Sequence, residues 1–116
     1  MKKILIYILI SFILCGCSNE TLINEDYIKN IVKEKEYAII DVRTNEEYKE
    51  IHIKNSLNIP VDEVENIKID KDKIIFVYCR SGNRSSIAYK KLTDLGYTVY
   101  DLGRIDVINL DKVQGE

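Results

Sequence analysis

The residue with the most evident chemistry is Cys79, in the segment Cys79-Arg80-Ser81-Gly82-Asn83-Arg84-Ser85. That segment carries two arginines and no acid. Gly82 and Asn83 tolerate positive φ, so the backbone can curl into a cradle of N–H groups. Such a cradle at the start of a helix attracts an anion. A thiolate at its focus has a depressed pKa and is a nucleophile near neutral pH. The plain alternative is a buried packing cysteine, which two nearby arginines speak against. Asp41 and Arg43 are a second candidate pair, read as a salt-bridge network that fixes a neighbouring loop, for example Arg43 with Glu47. The single histidine, His52, would have to serve any Cys–His hydrolase.

The spacing bears on which anion the cradle suits. The loop is similar to that of cysteine phosphatases, which use C-x5-R. Here the arginine comes one residue sooner, as Cys79-x4-Arg84, and Ser85 stands at the phosphatase arginine position. The tighter loop suits a smaller group on sulfur, such as a persulfide, and no general acid for a phosphate ester stands nearby in the sequence. A phosphatase and a non-catalytic binding module for anions or a partner remain the alternatives.

The elements that must position this loop follow from hydrophobic pattern. Ile74-Ile75-Phe76-Val77-Tyr78 is a β-branched and aromatic strand leading into Cys79. Helical phase from Ser85 to Leu95, stopped by Gly96, places a helix after the loop. Tyr37-Ala38-Ile39-Ile40 reads as a strand buried on both faces, followed by Asp41-Val42-Arg43. Asn24 caps a helix running to about Lys35, and Thr44 or Asn45 caps a short one through Ile51. A short strand at Ser56–Pro60, a short helix at Val61–Ile67 and a strand at Tyr97–Tyr100 complete the pattern. The lysine and acid clusters at Lys33–Glu36 and Asp70–Lys73 read as solvated surface, and most of the eight tyrosines read as packing. Strands alternating with helices predict an α/β domain with a mainly parallel sheet. Ligands in such sheets bind beyond the carboxyl ends of the strands, where Cys79 lies.

The N-terminus reads as an address. Lys2 and Lys3 precede an apolar run from Ile4 to Leu14. A basic start and an apolar stretch of about 7–15 residues form the secretory pattern, and the run is short of the roughly 20 residues a spanning helix needs. Leu14-Cys15-Gly16-Cys17 resembles the lipobox of bacterial lipoprotein precursors. That resemblance implies a signal peptide over residues 1–16, lipidation of Cys17, a tether at 17–23 and a domain at 24–116. It also implies an extracytoplasmic protein anchored in a membrane by lipid. Of three cysteines, Cys15 then leaves with the leader, Cys17 becomes a thioether and Cys79 keeps the one free thiol. A disulfide and a cysteine metal site are thereby excluded. The mature chain has 15 basic and 19 acidic side chains, a formal charge of −4.

Composition agrees with one small domain. The chain has 116 residues, 46% hydrophobic and 31% charged, which excludes wholesale disorder. The formal charge of −2 argues against a general nucleic-acid partner.

Three segments together resemble a single-domain rhodanese. Ile39-Ile40-Asp41-Val42-Arg43 with Glu47-Tyr48 is similar to the family's first motif, and His52-Ile53 with Asn58-Ile59-Pro60 to its second. Tyr78 to Ser86, with Leu95-Gly96-Tyr97 beyond, is similar to the active-site segment. The resemblance covers about residues 37–103. It implies a rhodanese-like three-layer domain, a mainly parallel five-stranded sheet flanked by helices. It implies sulfurtransferase activity in a monomer with no metal or organic cofactor. Cys79 would take sulfane sulfur from a small anion such as thiosulfate and pass it to a thiophilic acceptor such as a thiol. Arg80, Ser81, Gly82, Asn83, Arg84 and Ser85 would cradle the persulfide, Asp41 and Arg43 would support the site, and His52 would be structural. Ile51 stands where the family usually has glycine, and Arg104 and Ile108 where it usually has glycine and tryptophan. The wall of the pocket formed by the last two is accordingly expected to differ.

Overall fold

Successive side chains on an extended chain point to opposite faces, so the three long strands here feed two cores. A computed structural model describes residues 22–115. Ile74–Cys79 (β4) is buried along its whole length. Phe76 and Tyr78 face one cluster, with Ile28 and Val32 of helix α1 (Glu25–Val32). Ile75, Val77 and Cys79 face the other, with Val64, and with Ala88 and Leu92 of helix α3 (Asn83–Asp94). This is the period-2 alternation of a strand covered on both sides.

Among the described residues the central sheet has four parallel strands in the order β3-β1-β4-β5, with β1 at Tyr37–Asp41, β3 at Leu57–Asn58 and β5 at Thr98–Arg104. Where the resemblance implies five strands, the segment before α1 contributes an isolated bridge, Ile23 to Ile108. Asn24 ends that extended stretch by capping α1, its side chain accepting from Tyr27 N at 3.0 Å. A second, antiparallel pair joins β2 (His52–Ile53) to β6 (Lys112–Val113).

Several boundaries differ from the sequence reading. Helix α1 stops at Val32 because Lys33 turns to φ +55. Thr44 caps helix α2 (Asn45–Glu50) through a full capping box with Glu47, and Ile51 is already extended. The Val61–Asn66 turn is a 3-10 helix. Helix α3 begins at Asn83, two residues sooner than its hydrophobic phase indicates, because Gly82 takes φ +95 and ends the loop. Strand β5 runs on to Arg104, with a register shift against β4: Val77 pairs with Asp101, but Tyr78 pairs with Gly103 and Cys79 with Arg104. Gly103, at φ +81, supplies the left-handed backbone at this irregularity.

The apolar run, Cys15 and Cys17 lie outside the described residues. Among the described residues no helix is long and apolar enough to cross a membrane.

Candidate active site

Cys79 ends β4 at the carboxyl edge of the sheet, and its sulfur is the focus of the loop that follows. Gly82 N donates to Sγ at 2.9 Å and Ser85 N at 3.3 Å. The Ser85 hydroxyl lies 3.5 Å from Sγ and donates to Gly82 O at 3.2 Å. A hydroxyl rotates freely. With a thiol it accepts from sulfur, and with a thiolate it can turn and donate. Burial pushes the Cys79 thiol up, but the Ser85 hydroxyl and the N–H groups of Ser85, Gly82 and Ser81 outweigh it, so the net shift is downward. Residues 79–85 thus form an N–H nest at the start of a 12-residue helix, an arrangement that favours negative charge at Sγ.

The structure distributes the expected cradle unevenly. Gly82 and Ser85 touch the sulfur. Asn83, read as a possible positive-φ residue, is instead the first helical residue. Arg84 forks onto Glu47, with Nη1 at 2.8 Å from Oε1 and Nη2 at 3.1 Å from Oε2, and makes no hydrogen bond to the sulfur. Arg80 is 73% exposed and approaches Glu47 at 3.9 Å. Glu47 is held well below the usual carboxylate range, at about 2, chiefly by the Arg84 hydrogen bonds and further by Thr44. The cradle is therefore built mainly of backbone and hydroxyl dipoles, with the arginines anchoring its outer side.

Asp41 and Arg43 form a pair, but not with Glu47. Arg43 binds Asp41 through its backbone N (2.9 Å), Nε (2.9 Å) and Nη2 (2.7 Å), and its Nη2 also donates to Ile51 O at 2.6 Å. Arg43 and Asp41 are buried together, while Glu47 is taken by Arg84. Asn58 Nδ2 donates to the carbonyls of both Asp41 (3.1 Å) and Arg43 (3.0 Å). The result is a knot that ties the end of β1 to residues 51–58. His52 belongs to the same packing. Its Nδ1 lies 2.8 Å from Tyr48 O and its ring stacks on Tyr48 at 3.7 Å. Among the described residues no hydrogen bond joins it to Cys79, so the geometry holds no Cys–His pair.

Sequence reasoning missed two features. Glu47 was a visible acid, yet its pairing with Arg84 crosses from α2 to α3 and has no local signal. The buried Tyr78 hydroxyl receives Ile53 N at 3.0 Å and lies 3.2 Å from Ser56 Oγ, a role that a β-strand tyrosine does not announce. Ile108 is buried in the core at the α1 face, whereas Arg104 stays more than half exposed at the site's edge. Of these two positions, Arg104 is the one in register with Cys79.

Cys79 itself exposes no surface.

Comparison with known proteins agrees with this geometry. A family model described as a rhodanese-like domain matches residues 24–104. The thiosulfate sulfurtransferase PspE of Escherichia coli (strain K12) is 40% identical over 81 residues, covering 66% of this chain and 78% of that protein. The adenylyltransferase and sulfurtransferase uba4 of Ogataea parapolymorpha is 30% identical over 89 residues, 72% of this chain. The match spans only 23% of that protein's length. Among solved structures, a rhodanese with anions from E. coli is similar with a TM-score of 0.64 and 34% identity, covering 68% of this chain and 99% of that one.

Proposed function

The chain belongs to the rhodanese-like domain family, and from that premise we propose that it is a sulfurtransferase with Cys79 as sulfur carrier. The observation that carries this reading is the pair of N–H donors on Sγ, Gly82 N at 2.9 Å and Ser85 N at 3.3 Å, with the Ser85 hydroxyl 3.5 Å away and free to turn toward a thiolate. Its relatives include thiosulfate sulfurtransferase PspE, which supports thiosulfate as donor.

In the first half-reaction the Cys79 thiolate attacks the outer sulfur of thiosulfate. A bond forms between Sγ and that sulfur, the S–S bond of thiosulfate breaks, and its electron pair leaves with sulfite. The persulfide's terminal charge takes the place of the thiolate in the N–H nest. In the second half-reaction an acceptor such as cyanide or a thiolate attacks the outer sulfur. The bond to Sγ breaks, and its pair returns to Cys79 as thiolate. Both steps balance without a proton relay, so the site needs a low-pKa sulfur and fixed dipoles rather than a general acid.

A binding module with no turnover is the second reading, favoured by the complete burial of Cys79 and the neutralisation of Arg84 by Glu47. Thiosulfate and cyanide supplied to the full chain decide between them. Thiocyanate formation that disappears in Cys79→Ser, with the fold kept by circular dichroism, supports transfer. No thiocyanate above the uncatalysed rate leaves the binding module.

The lipobox-like Leu14-Cys15-Gly16-Cys17 supports a lipid anchor on Cys17 and action outside the cytoplasmic membrane. Two acyl chains suffice for stable anchoring, at about 0.8 kcal/mol per buried methylene. Labelling cells with a radioactive fatty acid tests it: label lost in Cys17→Ser supports the anchor, and an unlabelled wild-type chain refutes it.

A further inference from the structure

The irregularity between β4 and β5 puts Arg104, not Gly103, in register with Cys79. From there the arginine stem lies over the loop: a Cβ placed on Gly82 would meet Arg104 Cγ at 3.9 Å. Gly82 is also the residue whose N–H comes within 2.9 Å of the sulfur. The guanidinium is held in place by Asp106, through Nε to Oδ1 at 3.1 Å and Nη2 to Oδ2 at 2.7 Å. Those bonds use one edge of the fork, and among the described residues Nη1 has no hydrogen-bond partner.

The neighbouring cations are committed elsewhere. Arg43 is buried on Asp41, and Arg84 is forked onto Glu47. Arg80 is 73% exposed, with its one ion-pair contact, to Glu47, at 3.9 Å among the described residues. Arg104 alone combines a position on the loop, a fixed orientation and a free donor edge. An exposed Arg–Asp pair contributes little to stability. It does pre-order the guanidinium, which lowers the entropy lost when that group binds something else. A planar fork with N–H groups to spare matches a carboxylate or a similar oxyanion.

We infer that Arg104 is a specificity-determining residue of the Cys79 site, selecting small reactants that carry a carboxylate or comparable anionic group close to the atom that meets Sγ. The inference rests on Cys79 being the reactive group proposed above. Applied to the acceptor half-reaction, the thiolate of an acidic thiol attacks the outer sulfur of the persulfide. One S–S bond forms, the bond to Sγ breaks and its electron pair returns to Cys79. Arg104 supplies neither proton nor electron, and holds the acceptor's carboxylate while the sulfurs align.

The test compares alkylation of Cys79 in the full chain by iodoacetate and by iodoacetamide, read on the Cys79 peptide by mass spectrometry. The two reagents differ in charge and little in size, so changes in thiol reactivity or loop motion cancel in their ratio. The ratio of iodoacetate to iodoacetamide rates falls about fivefold in Arg104→Ala, the effect of one unit charge a few ångströms away in water, and is largely kept in Arg104→Lys. An unchanged ratio in Arg104→Ala overturns the proposal. This readout needs no sulfur transfer, so it stands apart from a failure of thiosulfate to charge Cys79. Where Cys79 does charge, discharge by mercaptoacetate and by mercaptoethanol gives the same comparison, and an unchanged ratio again overturns it.

Discussion

Two arginine–aspartate pairs flank the strand that ends in Cys79. Both join residues two apart, and both have an N–O distance of 2.7 Å. Asp41–Arg43, at the end of β1, has side chains 0% and 4% exposed. Arg104–Asp106, at the end of β5, has side chains 55% and 60% exposed. The same bond length therefore means different things. In the buried pair each charge depends on the other, because either one alone would sit uncompensated in a low-dielectric interior. It also carries Ile51 O, and Asn58 braces the carbonyls beside it, so it holds a loop in place. In the exposed pair water competes for every bond, and what remains is orientation. One side of Cys79 is thus a structural knot and the other an accessible charge.

Breaking the buried pair has the largest expected effect. Arg43→Ala lowers stability by about 3–5 kcal/mol, measured by urea unfolding. A loss comparable to that of a surface substitution would erase the distinction between the two sides. Glu47→Gln comes next. Glu47 accepts two bonds from Arg84 and closes the Thr44 capping box, so the variant loses about 1–2 kcal/mol at neutral pH.

The pH dependence of that loss has a definite sign. The folded-state pKa of Glu47 is depressed to about 2 from an ordinary 4.5. Its contribution is therefore fully present above about 4.5 and disappears as pH falls toward about 2. The wild-type and Glu47→Gln unfolding curves converge across that window. A gap that persists undiminished at its acid end would remove the ion pair as its cause.

The smallest effect belongs to the exposed pair. Asp106→Asn leaves the melting temperature unchanged within error, since a solvent-exposed ion pair contributes little. A clear drop would show that the β5 end is held by that pair after all. Between the two pairs, Cys79 itself reports on the N–H nest. Its alkylation rate by iodoacetamide rises with pH through a midpoint below that of an ordinary thiol, because its pKa is lowered. Ser85→Ala moves that midpoint upward by removing the hydroxyl donor.

How much of this is legible in sequence depends on the range of the interaction. The Ile74–Tyr78 run identifies β4 because nothing but a two-sided core suits such a stretch. Thr44 and Glu47, three apart, mark a helix start through a local capping box. Gly82 marks the end of the active loop because the turn needs positive φ. The strand-to-helix placement of Cys79 follows from those local signals. Pairings between elements are not readable in this way. Arg84 meets Glu47 across two helices, Arg43 takes Asp41 in place of Glu47, and Lys112–Val113 finds β2 only in the folded chain. Among the described residues the fifth strand of the resemblance is represented by one bridge, Ile23 to Ile108, after which Asn24 caps a helix. The β5 irregularity is the most consequential omission. It is carried by one glycine, Gly103, and it decides that an arginine lies beside the cysteine.

The central claim is that Cys79 carries sulfur, and one mass spectrum tests it. The full chain is incubated with thiosulfate, freed of excess reagent and measured intact and as the Cys79 peptide. A mass gain of one sulfur on Cys79, absent in Cys79→Ser and removed by cyanide, is the predicted result. A folded wild-type protein whose Cys79 stays an unmodified thiol under excess thiosulfate would contradict it.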